Sequence, residues 1–551
     1  MMLHEVGLIP ILLVLAAFIT PIFSLFTRNR YFYSTYMLIV AIVITLFSYK
    51  TIDAVMRGHI LVYPFGGWPP PLGIVYTVDF MNGILGFLAS ILFLKISIYS
   101  FWYYGKVAGY EWLTTLMLLL MAGVMGCIYT GDIFNFFVML EVLCISSYAL
   151  VSFFKRRRWA VEASISYAFI GALATTFFLF GVSFIYAAYG TLNIADIAAK
   201  AQGIVPDTIS SWSGVCVGDV CFGNIALASA VSIALTLWAL TFEAGLFPNN
   251  YWLPSAYTEA PTPASALFAG IVDKVGTYGV LRIMLTIFSG GSMLMFKVFE
   301  IPFRDLVLMI LSMLGIVSGY LGSLVMVIQR DVKRFLSYST ISHIGLLFIP
   351  FIGFTSNHPE EIMAKTLAAI LFHSIVHALS ESMLFTGFGT LATIAGSRKI
   401  DDMRGYGRRY PAIALAVTIG MLSLLGLAPL PGFFSKYMIF LPMIEASAYI
   451  QALSIIIISG ISAIGYFRVI YTLFLPKLED SKKSEYGIVL PSILCISVAL
   501  ILLILGLTYI TYDIYSILVS GSKMVVSTNG IRKYIMTVDS IYLKLFTAGG
   551  G

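Results

Sequence analysis

Charge is what this chain has least of. Only 11% of its 551 residues are Asp, Glu, Lys or Arg, against 59% hydrophobic, and that balance excludes a soluble domain. Cysteine is scarce as well: Cys127, Cys144, Cys216, Cys221 and Cys495 show no haem or metal-ligand spacing. Flavin, nucleotide and iron–sulfur motifs are missing, so the chain carries no catalytic centre and no cofactor of its own. The net charge of +6 comes from basic residues scattered over separate loops. Without a continuous basic face they give no nucleic-acid partner. No small-residue cleavage site follows the first apolar run, which reads as a retained anchor and not a removed signal peptide.

Long apolar runs are what the chain has instead. Runs long enough to span a bilayer fall near 7–26, 33–49, 75–98, 112–130, 132–154, 164–187, 225–247, 263–289, 303–328, 335–353, 363–394, 411–443, 447–475 and 486–510. The fold class is therefore an all-α polytopic membrane protein of about fourteen transmembrane helices. One set of loops carries Arg28, Arg30, Lys106, Lys155 to Arg158, Arg330, Lys333, Arg334, Arg398, Lys399, Arg404, Arg408, Arg409, Lys477, Lys482 and Lys483; the opposite set carries few basic residues. The first set is cytoplasmic by the positive-inside rule, and an even span count puts both termini outside. Residues 50–75 and 190–224 form the sizeable external loops. Cys216 and Cys221 lie in the second, as either a disulfide or two free thiols. In the tail 511–551, Ile531 to Phe546 reads as an interfacial amphipathic helix.

Two of the runs are interrupted by prolines beside a charge. The first break is Thr241-Phe-Glu-Ala-Gly-Leu-Phe-Pro-Asn-Asn-Tyr-Trp-Leu-Pro-Ser255, with Pro248 and Pro254 after Glu243. The second is Leu425-Gly-Leu-Ala-Pro-Leu-Pro-Gly-Phe-Phe-Ser-Lys436, with Pro429 and Pro431. Hydrocarbon tolerates such breaks only where they are buried or line a wet cavity. They fall in the seventh and twelfth spans, and an odd offset is the arithmetic of an inverted repeat. The expected organisation is three N-terminal helices with an external loop (1–111), two inverted five-helix units (112–289 and 303–475), and a last helix with its tail (476–551).

An ionisable side chain inside a span is costly, so each one is a functional candidate. Glu141 lies mid-helix; Glu243 precedes the first break, where freed backbone groups and Asn249-Asn250 offer to hold water around it. Asp273 and Lys274 project about 100° apart on a helix and are expected not to face one partner. One would belong to an ion path, and the other would neutralise it or face a neighbouring subunit. His343 begins another helix, and His373, His377 and Glu381 recur at spacing four on one helix face. Histidine titrates near neutral pH, so such a column can hand protons along. His-x3-His also fits zinc, but no further ligand cluster accompanies it, so no metal is assigned. Each of these groups also has a plain structural reading as a satisfied interior acid or hydrogen-bonded pair. With Lys436 they make a row through the middle of the membrane, which suits proton relay better than the compact pocket of a solute symporter.

At these residues the chain resembles the antiporter-like membrane subunits of Mrp multi-subunit sodium/proton antiporters, respiratory complex I, and archaeal membrane-bound hydrogenase or sulfur-reducing complexes. The matching blocks are Gly131 to Glu141, Leu246 to Pro263, Gln329 to Gly345, His373/His377 and Pro429 to Lys436, within residues 75–475. The resemblance implies hetero-oligomeric partners, including homologous antiporter-like chains, in the cell membrane. It implies transport of H⁺, Na⁺ or both, driven by ion exchange or by a redox partner. Iron–sulfur clusters or other redox centres would then sit in partner subunits. By position, Glu141 corresponds to the family's fifth-helix glutamate, Lys274 to its eighth-helix lysine and Lys436 to its twelfth-helix lysine. Two positions depart: Glu243 stands where the family usually has lysine, and Glu381 where many members do. Glu141 and Glu243 would then be like-charged neighbours that cannot both ionise readily, sharing a proton or a cation. The alternative is a non-pumping scaffold.

Overall fold

The computed structural model describes residues 3–203, 225–290, 297–476 and 487–548, and the backbone alone of 216–217, 220–221 and, within that last stretch, 542–548. The described chain is mostly helical. The first group is α1 (His4–Phe23), α2 (Arg30–Met56), α3 (Phe80–Tyr103), α4 (Tyr110–Tyr129), α5 (Ile133–Val151) and α6 (Arg158–Tyr189). Strands β1 (Leu61–Pro64) and β2 (Val75–Val78) pair antiparallel and fold the Gly/Pro-rich loop back between α2 and α3. Asp79 then starts α3 with a reciprocal cap shared with Asn82. The helix therefore begins five residues later than the apolar run.

The segment between α6 and the next long helix holds α7 (Ile194–Ala201) and a minimal hairpin, β3 (Cys216–Val217) against β4 (Val220–Cys221), whose register sets residue 216 opposite 221. The two cysteine side chains lie outside the described residues, and so does their oxidation state. Next come α8 (Ile225–Ala244), α9 (Leu253–Glu259), α10 (Thr262–Leu267) and α11 (Asp273–Arg282), then α12 (Phe303–Ile328), α13 (Val332–Phe348) and α14 (Glu360–Ala395). The series ends with α15 (Tyr406–Arg409), α16 (Pro411–Leu425), α17 (Pro431–Glu445), α18 (Tyr449–Phe474), α19 (Val489–Leu505), α20 (Thr508–Val526) and α21 (Thr528–Ala548).

Among the described residues, eleven helices are long and apolar enough to cross a membrane, or up to thirteen if each of two bent pairs counts as one span. The three other expected spans are irregular for local reasons. Residues 263–289 run through α10 and α11 with π-helical turns at Phe268–Val272 and Ile283–Ile287. Residues 411–443 are cut into α16 and α17 at the second proline break, and α19 turns by 79° into α20. The tail needs correction. It forms two helices, and α21 buries Ile531, Tyr534, Ile535, Val538 and Ile541 against the protein, chiefly α7 and α20. From Ile531 to Ile541 its apolar stripe is thus covered by neighbouring helices, where a membrane interface was expected. At the centre of the bundle runs α14, packed by α3, α10, α13, α16, α17, α19 and α20.

Candidate functional site: a buried polar row

At the first break α8 stops at Ala244, and the groups freed by the stop find neutral partners. The Trp252 indole donates to the Phe242 carbonyl (3.2 Å), and the Asn249 amide donates to Trp238 O (3.3 Å) and Thr241 Oγ1 (3.2 Å). The freed Thr241 and Phe242 carbonyls also accept from the Leu246 and Gly245 amides (2.9 and 3.0 Å); Asn249 braces the last turns of α8, whereas it was expected to hold water around Glu243. The Glu243 carboxyl is 1% exposed. It accepts one bond, from the Cys144 thiol at 3.5 Å, and its Oε1 has no partner among the described residues. Cys144 is three residues after Glu141 on α5. Glu141 itself is half-buried, and no hydrogen bond or ion pair joins it to Glu243.

Asp273 and Lys274 face each other rather than apart. Lys274 Nζ lies 2.8 Å from Asp273 Oδ1, because the long lysine stem curls back over its own helix. The π-turn just before α11 shifts the hydrogen-bond ladder, and Nζ takes the Ala269 carbonyl at 2.7 Å. Its third contact crosses to α14, where His377 Nδ1 lies 2.7 Å away. All three side chains are no more than 1% exposed.

From His377 the row continues by two branches. One is direct: the His343 ring on α13 lies 5.0 Å from the His377 ring, centre to centre. The other runs through Glu381, whose Oε1 lies 3.9 Å from His377 Nε2 and accepts from Ser339 Oγ at 2.6 Å. Ser339 shares a bond with Tyr466 OH of α18 (2.7 Å), and Tyr466 OH is 3.4 Å from His343 Nε2. The branches meet at His343, whose Nδ1 is 3.2 Å from His373 Nε2; His373 Nδ1 then bonds Ser435 Oγ of α17 at 3.0 Å. His377 Nε2 and Glu381 Oε2 have no hydrogen-bond partner among the described residues. At these atoms a transferable proton or a water would complete the hydrogen bonding.

Ser435 is followed by Lys436 at the second break. Gly426 (φ 89°) ends α16 in the left-handed conformation that glycine adopts without strain. Lys436 Nζ reaches back to the freed Leu425 carbonyl (3.0 Å) and to Ser459 Oγ of α18 (2.9 Å). Here the charged side chain itself satisfies the broken helix.

The structure thus joins Asp273, Lys274, His377, Glu381, His343 and His373 into one buried row that ends beside Lys436. Glu243 sits off one end, near Asp273, and Glu141 is not in contact with the row. The connecting groups Cys144, Ser339, Ser435 and Tyr466 carried no signal of their own, since serine and tyrosine are unremarkable in a span. Lys95 of α3 did carry one: it is a buried lysine inside an apolar run, and the rule that singled out Lys274 applies to it equally.

A multi-pass helical membrane protein with two broken helices and a buried row of acids, histidines and lysines is the class this geometry defines. The chain belongs to the NADH:quinone oxidoreductase/Mrp antiporter transmembrane family, whose model matches residues 130–462. An NADH-quinone oxidoreductase subunit of Desulforudis audaxviator is 30% identical over 78% of this chain and 78% of its own length. A Na⁺/H⁺ antiporter subunit of Alkalihalophilus pseudofirmus is 29% identical over 73% of this chain and 74% of its own. A chain of the membrane-bound sulfane sulfur reductase, an archaeal respiratory membrane complex, superposes with TM-score 0.82 at 26% identity, covering 97% of this chain and 99% of that one. The present chain is an antiporter-like membrane subunit related to all three.

Proposed function

We propose that this chain is an ion-translocating subunit of a multi-subunit membrane complex, relaying protons along the row from Asp273 to Lys436. The observation that carries this is the continuity of the row. Its groups lie on α11, α13, α14, α17 and α18, and from Asp273 to Ser435 each is within hydrogen-bond or ring-contact reach of the next; Lys436 follows Ser435 in the chain. Imidazoles hand protons on because one nitrogen can accept as the other releases. Glu243 and Glu141 form the acidic approach to this row, either sharing a proton or holding a cation such as Na⁺. Fourteen crossings, ten of them in two inverted five-helix units (112–289 and 303–475), both termini outside, and a plasma-membrane location complete the reading. The relatives' complexes support neighbouring membrane subunits as partners, with redox centres, including iron–sulfur clusters, housed there and not in this chain.

The test is His343→Ala in the complex purified from native membranes and reconstituted in vesicles. It removes the junction of both branches, and ion flux should fall to background while assembly persists. Full flux would rule out the row. One observation favours a second reading, the non-pumping scaffold: Glu243 is an acid whose one hydrogen bond is to Cys144, with no basic partner among the described residues. Flux indifferent to loss of Glu141 and of Lys436 would establish it. Comparing proton uptake between pH 6 and 8 in wild type and Glu243→Gln tests the shared proton, and identical titrations would remove it.

A further inference from the structure

Lys95 lies outside the row and has no carboxylate partner among the described residues. Its Nζ, on a side chain 8% exposed, donates to Ser382 Oγ (3.0 Å) and Thr386 Oγ1 (3.2 Å) of α14. One turn further along α3, Tyr99 OH bonds Thr390 Oγ1 at 3.0 Å. Another turn on, Tyr103 OH accepts from the Thr262 amide at 3.4 Å. Residues 95, 99 and 103 therefore form rungs against α14 and the start of α10, spaced by about 5–6 Å, one helical pitch.

Both ends of this ladder lead somewhere. Tyr103 and Thr262 line a cavity of about 650 Å³ whose walls include Arg157, Lys333 and Arg398, at the side of the basic loops. At the inner end, a Cβ placed on Gly270 would stand 3.6 Å from Ser382 Cβ. Gly270 adjoins Ala269, whose carbonyl holds Lys274 Nζ. The ladder thus runs from an open cavity to the edge of the row.

A plain structural role would be to zip α3 to α14, but hydroxyls alone do that between helices. An ammonium with no anionic partner adds a cost of several kcal/mol to such a zip, and what it adds in return is an exchangeable proton. We propose that the α3–α14 ladder is a proton access route from the basic-loop cavity, with Lys95 as its inner proton-carrying group. This rests on the relay reading above. In the step, the Lys95 ammonium releases a proton through Ser382 or a bridging water to the amine of Lys274. The neutral Lys95 amine is then reprotonated from the cavity through waters that bridge the roughly 5–6 Å between rungs, each hydroxyl of Tyr103 and Tyr99 taking a proton on oxygen from one water as it releases its own to the next.

The test uses the intact complex from native membranes and two readouts. Radiolytic hydroxyl-radical footprinting reports side chains in contact with water: Tyr99 should oxidise several-fold faster than Tyr104, which is comparably buried and bonded to Thr114. In reconstituted vesicles, Lys95→Gln should lose most of the ion flux. Lys95→Arg should lose it too, because a guanidinium keeps the charge but does not release its proton, whereas Lys95→His should retain part. Where arginine prevents assembly, Lys95→Met against Lys95→His makes the same comparison. A Tyr99 as protected as Tyr104, or full flux in Lys95→Arg or Lys95→Met, overturns this proposal alone. A wild-type complex that moves no ions overturns the relay reading, and this proposal with it.

Discussion

The two proline breaks solve the same problem in opposite ways. Both stop a helix inside the bundle and leave carbonyls without their usual partners. At the second break the ammonium of Lys436 takes the Leu425 carbonyl directly, at the negative end of the α16 dipole, where a cation is favoured. At the first, the Trp252 indole and the backbone amides of Gly245 and Leu246 take the carbonyls, while Glu243, the last residue but one of α8, stands at an equally negative end. That dipole opposes a carboxylate. A helix break is a ready counter-charge for lysine and a poor one for glutamate, which is a physical reason for the lysine that the resemblance places at this position. Glu243 is the unusual feature of the chain, and Lys436 the one that the break explains.

The largest effect that would sharpen this contrast is on transport. Lys436→Met should abolish flux in the reconstituted complex. It should leave thermal stability unchanged or raised: losing the bond to Leu425 O costs about 1–3 kcal/mol, offset by no longer burying an ammonium that lacks an anionic partner. A strongly destabilised Lys436→Met with intact flux would reduce Lys436 to a structural cap. Next in size, Gly426→Ala should destabilise by about 1–2 kcal/mol from its left-handed backbone, with a Cβ 3.0 Å from Lys436 Cδ. Denaturant unfolding of the complex would measure it. Trp252→Phe should cost about 1 kcal/mol through the lost bond to Phe242 O and leave flux nearly unchanged, since a neutral plug does not carry ions.

Both breaks were legible in the sequence, because proline pairs inside apolar runs admit few readings. The column His373, His377 and Glu381 was legible from its period of four. What each group bonds to was not. The pairing of Asp273 with Lys274 depends on the π-turn at Phe268–Val272, which shifts the ladder by one residue and has no sequence signature comparable to proline. Ser339 and Tyr466 become links only because α13 and α18 pack side by side, a tertiary fact. Glu141 is the instructive case in the other direction. Its motif was clear, yet the side chain is half-buried and no hydrogen bond joins it to the row, so the motif alone did not say what it contacts.

The smallest expected effect is the one that decides what Glu243 is. Glu243→Gln keeps the shape and can still accept from Cys144, while removing the charge that the α8 terminus opposes. Stability should therefore change by no more than about 1 kcal/mol, in the favourable direction. Glu243→Lys should also assemble, because its ammonium can take a freed carbonyl of α8 as Lys436 does at α16. A loss of about 3 kcal/mol or more on Glu243→Gln would instead mean that the carboxylate holds a cation in the assembled complex, since breaking a buried pair leaves its partner uncompensated. That result, measured by unfolding with and without added sodium, would turn the first break from a weak helix end into an ion site. The contrast with Lys436 would then be one of two charged breaks, each holding the opposite sign.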